Sequence, residues 1–159
     1  MLILEKQMKL LVINGPNLNM LGIREPDIYG TATYADLCAL MRVHAATIGV
    51  DVELYQSNHE GDLIDWVQKY GLLNLNDEPC DGIILNAGGY THTSIALRDA
   101  IACCRIHVVE VHISDIAMRE EFRRVSLLTD VCAHSIIGHG TDGYQEAVDW
   151  ILNNSDSKK

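Results

Sequence analysis

The stretch GIREPDIYG carries two side chains that together could form a proton-abstracting site. Arg24 and Tyr29 lie five positions apart in it, in what reads as a long loop. A free tyrosine titrates near pH ~10 and is a poor base at neutrality. A guanidinium about 4 Å away would favour the phenolate by about 4 kcal/mol at an effective dielectric near 20, enough to offset roughly three pH units. Arg24 could therefore make Tyr29 a working base, and the competing interpretation is that the pair only packs a loop.

The stretch HVVEVHIS, residues 107–114, could supply an acid. Alternate residues of a strand share a face, so Glu110 and His112 lie side by side while His107 points the other way. An imidazole facing the tyrosine would give the two ends of an elimination, in which one group takes a proton and the other protonates the leaving group.

The hydrophobic pattern predicts five strands alternating with helices. Such alternation implies a parallel sheet with right-handed crossovers and helices on both faces. Five strands favour a three-layer flavodoxin-like α/β fold with strand order 2-1-3-4-5. The expected strands are KLLVIN, DVELYQ, GIILN, HVVEVHIS and HSIIG; helices are expected from Thr33 to Gly49, from Glu60 to about Leu73, from Thr93 to Ala102, through MREEF, and from about Gly143 to Leu152.

The predicted strand order brings polar residues together at one edge of the sheet. Ligands of open parallel sheets bind beyond the carboxyl ends of the strands, where the strand order reverses. Strand one leads into Asn17, strand three ends at Asn86, and strand four ends near His112 and Ser114. We expect a binding site there, with the Arg24–Tyr29 loop able to close over it.

Composition limits the protein class. The 159 residues, 48% of them hydrophobic, predict a single domain, 1–159, with a folded core over about 9–152 and extensions at 1–8 and 153–159. The net charge of −10 argues against nucleic-acid or anionic-membrane partners. No apolar run approaches the roughly 18 residues of a membrane span, and the start lacks the features of a secretory signal, so we expect a cytoplasmic protein.

Several other kinds of site are less well supported. The five cysteines are odd in number and scattered, so we expect reduced, mostly buried thiols and no metal site. A G-x-G-x-x-G pattern at Gly138, Gly140 and Gly143 comes too near the end of the chain for a dinucleotide unit and reads as a strand-to-helix turn. The glycines of AGGYTHTS could cradle a phosphate but have no P-loop lysine beside them. Arg119 and Arg123, in MREEFRR, are as well explained by a solvated helix face.

Four motifs together resemble a known family. They are GPNLNMLGIREPDIYG, QSNHEGDLIDW, ILNAGGYTHTSIALRDA and EVHISDIAMREEFRRVS, which in this order and spacing are similar to the type II 3-dehydroquinate dehydratases of the shikimate pathway. The resemblance runs from about Lys9 to Ile151. The departures from the family pattern are the first eight residues, which precede the family's usual start, and Met20, Val125, Leu127 and His139.

The resemblance implies a cofactor-free anti elimination of water from 3-dehydroquinate through an enolate. Tyr29 would be the base, with Arg24 favouring its ionised form. Asn17 would hold the water that stabilises the enolate. His112, oriented by Glu110, would protonate the leaving hydroxyl.

The resemblance also implies a set of substrate-binding residues. These are Asn86, His92, Ile113, Ser114 and Arg123, which would hold the carboxylate and hydroxyls of the substrate. Asp99 matches a family position that reaches a neighbouring subunit's site, so a trimer unit and a homo-dodecamer are expected. A flavodoxin-like module that binds a flavin or a nucleotide at the same edge is the alternative.

Overall fold

The computed structural model describes residues 6–73 and 80–157 and contains the predicted five-stranded parallel sheet. The strand order β2-β1-β3-β4-β5 is the predicted one. The strands are β1 (Lys9–Asn14), β2 (Asp51–Gln56), β3 (Gly82–Asn86), β4 (His107–His112) and β5 (His134–Ile137). β1, β3 and β4 are buried almost throughout, as expected for continuous apolar runs covered on both faces.

In the described part of the chain, two α-helices cover each face of the sheet, and one further short helix, α1, precedes them in the chain. They are α1 (Pro26–Tyr29), α2 (Tyr34–Thr47), α3 (Glu60–Gln68), α4 (Ile95–Ala102) and α5 (Asp142–Asn153). Alternate residues of β1 divide between two cores: Leu10 and Val12 pack with α2 and α5, whereas Leu11 and Ile13 pack with α3 and α4. The three-layer architecture is therefore confirmed.

Local signals at the helix ends agree with the structure in one case and differ in another. Thr33, where the sequence predicts the start of this helix, caps α2 in a capping box with Asp36, because each side chain accepts from the other's backbone N–H. Thr93 is not the cap of α4. Ser94 is, with its hydroxyl accepting from Leu97 N, because a 3₁₀ turn over Gly88–His92 occupies the preceding residues.

Other segments are shorter or more broken than predicted. The expected helix through MREEF is two 3₁₀ turns, Ile116–Met118 and Glu121–Arg123. β4 ends at His112 rather than Ser114, and α3 continues into a π-helical segment, Lys69–Leu73. The expected loop around GIREPDIYG contains the short helix α1, and proline stands at its start, where a missing N–H costs nothing.

Thiol burial differs from the prediction. Cys80 and Cys104 are buried, but Cys38 and Cys132 are only half-buried and Cys103 is exposed. Burial raises the pKa of the Cys80 thiol to about 11, which keeps it protonated and unreactive.

The terminal extensions are only partly described. Residues 1–5 and 158–159 of the predicted extensions lie outside the described ranges, and α5 ends at Asn153. Among the described residues, no helix is long and apolar enough to cross a bilayer. The cytoplasmic location stays a prediction from the sequence.

Candidate active site

A cavity of about 160 Å³ lies at the predicted edge of the sheet. Its walls come from the segments that follow β1, β3 and β4 and from the segment 22–30. The predicted site residues that line it are Asn17, Arg24, Tyr29, Asn86, His92, His112, Ile113, Ser114 and Arg123. Glu110 lies behind His112, and Asp99 lies outside the cavity, exposed on α4.

Close backbone contact fixes the floor of the cavity. A Cβ at Gly15 would lie 2.4 Å from the carbonyl oxygen of Ala87, so only glycine allows the ends of β1 and β3 to approach this closely. Gly88 has a φ of +58°, and a Cβ there would lie 2.9 Å from the carbonyl oxygen of Pro16. The glycines around Pro16 and in AGGYTH therefore let the two loops meet beneath the cavity.

Two guanidinium groups contact the phenolic oxygen of Tyr29. Its phenolic oxygen accepts a hydrogen bond from Arg119 Nη1 at 2.9 Å and lies 3.5 Å from Arg24 Nη2. Arg119 is the better buried, with a side chain 10% exposed against 32% for Arg24. The bond to Tyr29 raises the pKa of Arg119, so this cation stays charged.

Arg119 is the main functional residue that the sequence did not single out. It stands in a run of charged residues that is equally typical of a solvated surface. Its side chain also donates to Ser114 Oγ at 3.3 Å, which ties the tyrosine to the end of β4. The contact between Arg119 and Tyr29 joins residues 90 positions apart, and no local pattern indicates it.

The backbone around Arg24 and Tyr29 depends on unusual dihedrals. Gly22 and Gly30 have φ values of +81° and +82°, and Glu25 has a φ of +39°. A side chain at Gly22 would also meet Thr33, at 3.0 Å from Cγ2. The glycines that bound GIREPDIYG therefore bend the chain so that Tyr29 turns toward the core beside α2.

His112 faces the same cavity from a rigid strand. Its Nε2 lies 2.5 Å from Glu110 Oε1, and the Glu110 side chain is 1% exposed. Burial by itself would raise the pKa of Glu110, but hydrogen bonds from His112, Ser126 and Thr129 outweigh it and lower the pKa to about 2. Since an ionised carboxylate only accepts, Nε2 carries a proton toward Glu110, and Nδ1 is left for the cavity.

Asn17 and Asn86 are held in place by different contacts. Asn17 adopts a left-handed conformation, with φ of 68°, and its N–H donates to Asn58 Oδ1. Asn86 is almost fully buried: Nδ2 donates to Tyr144 Oη at 2.9 Å, and Oδ1 accepts from Gly88 N. These contacts fix which way the Asn86 amide faces.

The remaining predicted substrate-binding residues lie around the far side of the cavity. His92 Nδ1 lies 2.8 Å from the carbonyl oxygen of Val125, which leaves Nε2 for a ligand. Arg123 Nε lies 3.2 Å from Glu120 Oε2. Ile113 and Ser114 precede the 3₁₀ turn capped by Asp115, so the expected backbone donors lie near a short helix start rather than at an α-helix.

The glycines of the G-x-G-x-x-G pattern and His107 do not line the cavity. Gly138 and Gly140 adopt positive φ in the turn between β5 and α5, and Gly143 packs against Ile136, all outside the cavity lining. His107 packs edge-on against Trp150. Within residues 6–73 and 80–157, no group of three or more histidine, cysteine or acidic side chains is placed to hold a metal ion.

Curated proteins of the same family are similar over most of the chain. A 3-dehydroquinate dehydratase of Sulfurimonas denitrificans is 50% identical over 142 residues, covering 89% of this chain and 84% of its own. A catabolic 3-dehydroquinase of Aspergillus oryzae is 45% identical and covers 94% of each chain. These similarities favour the enzyme over the flavin- or nucleotide-binding module.

A solved structure and a family model agree with this result. The crystal structure of a type II dehydroquinase from Butyrivibrio crossotus has a TM-score of 0.86 and 46% identity, covering 93% of this chain and 99% of its own. The model of the family "Dehydroquinase class II" matches residues 8–152. The chain belongs to the class II dehydroquinase family.

Proposed function

We propose that the protein catalyses the anti elimination of water from 3-dehydroquinate to give 3-dehydroshikimate, as a hydro-lyase of the shikimate pathway. The observation that carries the mechanism is the position of Tyr29 and His112. They line one cavity from different elements, with guanidinium groups at the tyrosine and a buried carboxylate behind the histidine.

Tyr29 acts as the base. The C2 hydrogen of 3-dehydroquinate is activated by the neighbouring ketone, so its removal produces an enolate. Arg119 and Arg24 place positive charge beside the phenolic oxygen that takes this proton. Arg119 therefore joins Arg24 in the role that the sequence assigned to Arg24 alone.

The negative charge of the enolate requires donors that are in place before the reaction. Asn17 lines the cavity at the end of β1, where its side chain can hold a water against the enolate oxygen. Its left-handed backbone and the bond from its N–H to Asn58 fix this position.

His112 completes the reaction as the acid. With Glu110 bonded to Nε2, a protonated Nδ1 can donate to the C1 hydroxyl as it leaves as water. Charge on Glu110 stabilises the imidazolium before the transfer and fixes the ring. Every step is a proton transfer or the stabilisation of charge, so the mechanism requires no cofactor.

The other cavity residues bind the substrate. Asn86, His92 and Arg123 offer an amide, an imidazole and a guanidinium to its hydroxyls and carboxylate. Ser114 and the backbone at Ile113 offer further hydrogen bonds beside His112.

We also propose that the protein forms a homo-oligomer, a dodecamer built from trimers. Asp99 and the largely exposed Ile95 share one face of α4, four residues apart. A second copy covering this face would bury Ile95 and bring Asp99 toward another subunit's cavity. Sedimentation equilibrium tests this; a monomer at micromolar concentration would contradict it.

The direct test of the activity is to mix the protein with 3-dehydroquinate and follow the ultraviolet absorbance of the conjugated enone product. We expect steady formation of product without added metal or cofactor. No product from folded protein would refute the proposed function, and borohydride trapping of substrate on a lysine would refute the enolate route.

A further inference from the structure

Glu110 accepts hydrogen bonds from three hydroxyl groups in addition to its bond with His112. Ser126 Oγ donates to Oε1, and Thr129 Oγ1 and Ser135 Oγ donate to Oε2 at 2.7 and 2.9 Å. Together with His112, these groups surround a carboxylate that is 1% exposed. None of the three hydroxyl residues lines the cavity.

The three hydroxyls reach Glu110 from two directions. Ser135 lies on β5, directly opposite Glu110 in the parallel register. Ser126 and Thr129 belong to the segment between Arg123 and β5, which the fully buried Leu128 anchors in the core. Leu127 N bonds to Thr91 O, and Arg98 pairs with Asp130 and donates to Leu127 O. The segment is thus fixed before a substrate binds.

The hydrogen-bond donors around a buried carboxylate affect its protonation state. A buried carboxylate with few donors gains a proton easily and would then be able to donate to Nε2. His112 would then be a neutral imidazole, which is a weaker acid than the imidazolium. Three hydroxyl donors instead favour the ionised form, which can only accept. Within the described residues, His112 is the one titratable side chain that bonds to Glu110, and Asp130, next to Thr129 in the sequence, is paired with Arg98.

We propose that Ser126, Thr129 and Ser135 are positioning residues for the acid step: their hydroxyls keep Glu110 an ionised acceptor, so that His112 can act as the imidazolium, with one proton held at Nε2 by Glu110 and the other donated to the cavity from Nδ1. The inference rests on the proposed function, because it assigns these hydroxyls a role in that reaction. Its claim that the hydroxyls keep Glu110 ionised can be tested without turnover.

Thr129 allows the cleanest substitution. Thr129→Val keeps the shape and removes the hydroxyl, whereas Thr129→Ser keeps the hydroxyl and removes a methyl group. Ser126 also accepts from Leu128 N, so its removal would disturb the backbone as well. Ser135→Ala gives a second hydroxyl deletion from a different element, and Ser155→Ala, near the end of the chain, is a matched control.

The test measures kcat, KM and the pH dependence of kcat for these variants, together with the titration of the Glu110 carboxyl carbon by NMR, assigned with Glu110→Gln. Losing one hydrogen bond to a charged group should lower kcat about 10-fold for Thr129→Val, with more loss in the double variant with Ser135→Ala. KM should change less than about twofold, since neither residue lines the cavity.

The sign of the pH effect follows from Glu110. Its pKa is held near 2 by donors to the charged form, so removing donors raises it. The carboxyl titration and the acid limb of kcat should both move to higher pH in Thr129→Val, and Thr129→Ser should restore both.

A fall in kcat with an unmoved carboxyl titration would overturn the proposal, since it would show a structural role only. Unchanged kcat in the double variant, or a loss confined to KM, would overturn it as well. If wild-type protein made no product, the proposed function would fail on its own, and the carboxyl titration would still decide whether the hydroxyls control Glu110.

Discussion

Tyr29 and His112 face one cavity from regions that are held in opposite ways. Tyr29 lies in the segment 22–30, in which no residue is buried, and its polar contacts come from two long arginine side chains. His112 ends a central strand and rests on a carboxylate that is almost completely buried. The proposed base therefore lies on the segment 22–30, the adjustable side of the site, and the proposed acid lies with Glu110 at the buried end of β4, the preformed side.

This difference matches the two tasks of the mechanism. A substrate must enter before the base can contact its C2 hydrogen, so some freedom around Tyr29 is useful. The acid must hold one protonation state and one ring orientation, which favours a rigid and fully bonded support. We expect the segment 22–30 to become more ordered when substrate or an enolate mimic binds.

The largest effect should come from removing the base. Tyr29→Phe should lower kcat by about 10³-fold or more with little change in substrate affinity, because the phenolic oxygen is the proposed proton acceptor. Steady-state kinetics and calorimetric substrate binding would check this. Tyr55→Phe, a tyrosine on β2 outside the cavity lining, is the control, and substantial turnover by Tyr29→Phe would assign the base to another group.

On the preformed side, removing the Glu110 carboxylate should lower kcat and should lower stability by an amount that depends on pH. Glu110→Gln should lower kcat by about 10²-fold, since an amide no longer favours the imidazolium. The pKa of Glu110 is lowered to about 2, so its charge stabilises the fold above the unfolded pKa near ~4.3, and this contribution is lost as pH falls toward 2.

Urea unfolding at several pH values tests whether the stabilisation by the Glu110 charge is lost as the pH falls. The stability difference between wild type and Glu110→Gln should shrink from about pH 5 to about pH 2. The exposed Glu146→Gln should show a smaller change of this kind. A Glu110→Gln difference that stays constant across this range would contradict the buried, ionised carboxylate.

The two arginines on the adjustable side should differ from each other. Arg119→Ala should lower kcat about 10- to 100-fold, as expected for a short hydrogen bond to a developing charge. Arg24→Ala should cost less than about 10-fold, because its contact is longer and its side chain is more exposed. Equal losses, or a larger loss at Arg24, would reverse this ranking; kinetics on both variants in parallel decides it.

The smallest effect should appear where the adjustable segment joins α2. Thr33→Ala removes the capping box and should lower the free energy of unfolding by about 1 kcal/mol, with kcat nearly unchanged. Thr47→Ala, at the other end of the same helix, should cost less, because its hydroxyl bonds only to a carbonyl of its own helix. A marked loss of kcat in Thr33→Ala would show that the cap positions Tyr29.

The sequence predicted the preformed side better than the adjustable one, for a physical reason. The sheet order and the pairing of Glu110 with His112 depend on strand alternation and on a two-residue spacing, both of which are local. The contact of Arg119 with Tyr29 and the hydroxyls on Glu110 depend on how distant segments return to the sheet edge. The position of Asp99 relative to a site depends on a second subunit and is not determined by one chain.

The division of labour between Tyr29 and His112 can be measured directly. Incubation of 3-dehydroquinate in deuterated water with His112→Asn should exchange the C2 hydrogen, as seen by NMR of recovered substrate, while little product forms. Tyr29→Phe should show no exchange. Exchange by Tyr29→Phe at the rate of wild type, or its loss only in His112→Asn, would contradict the assignment of base and acid.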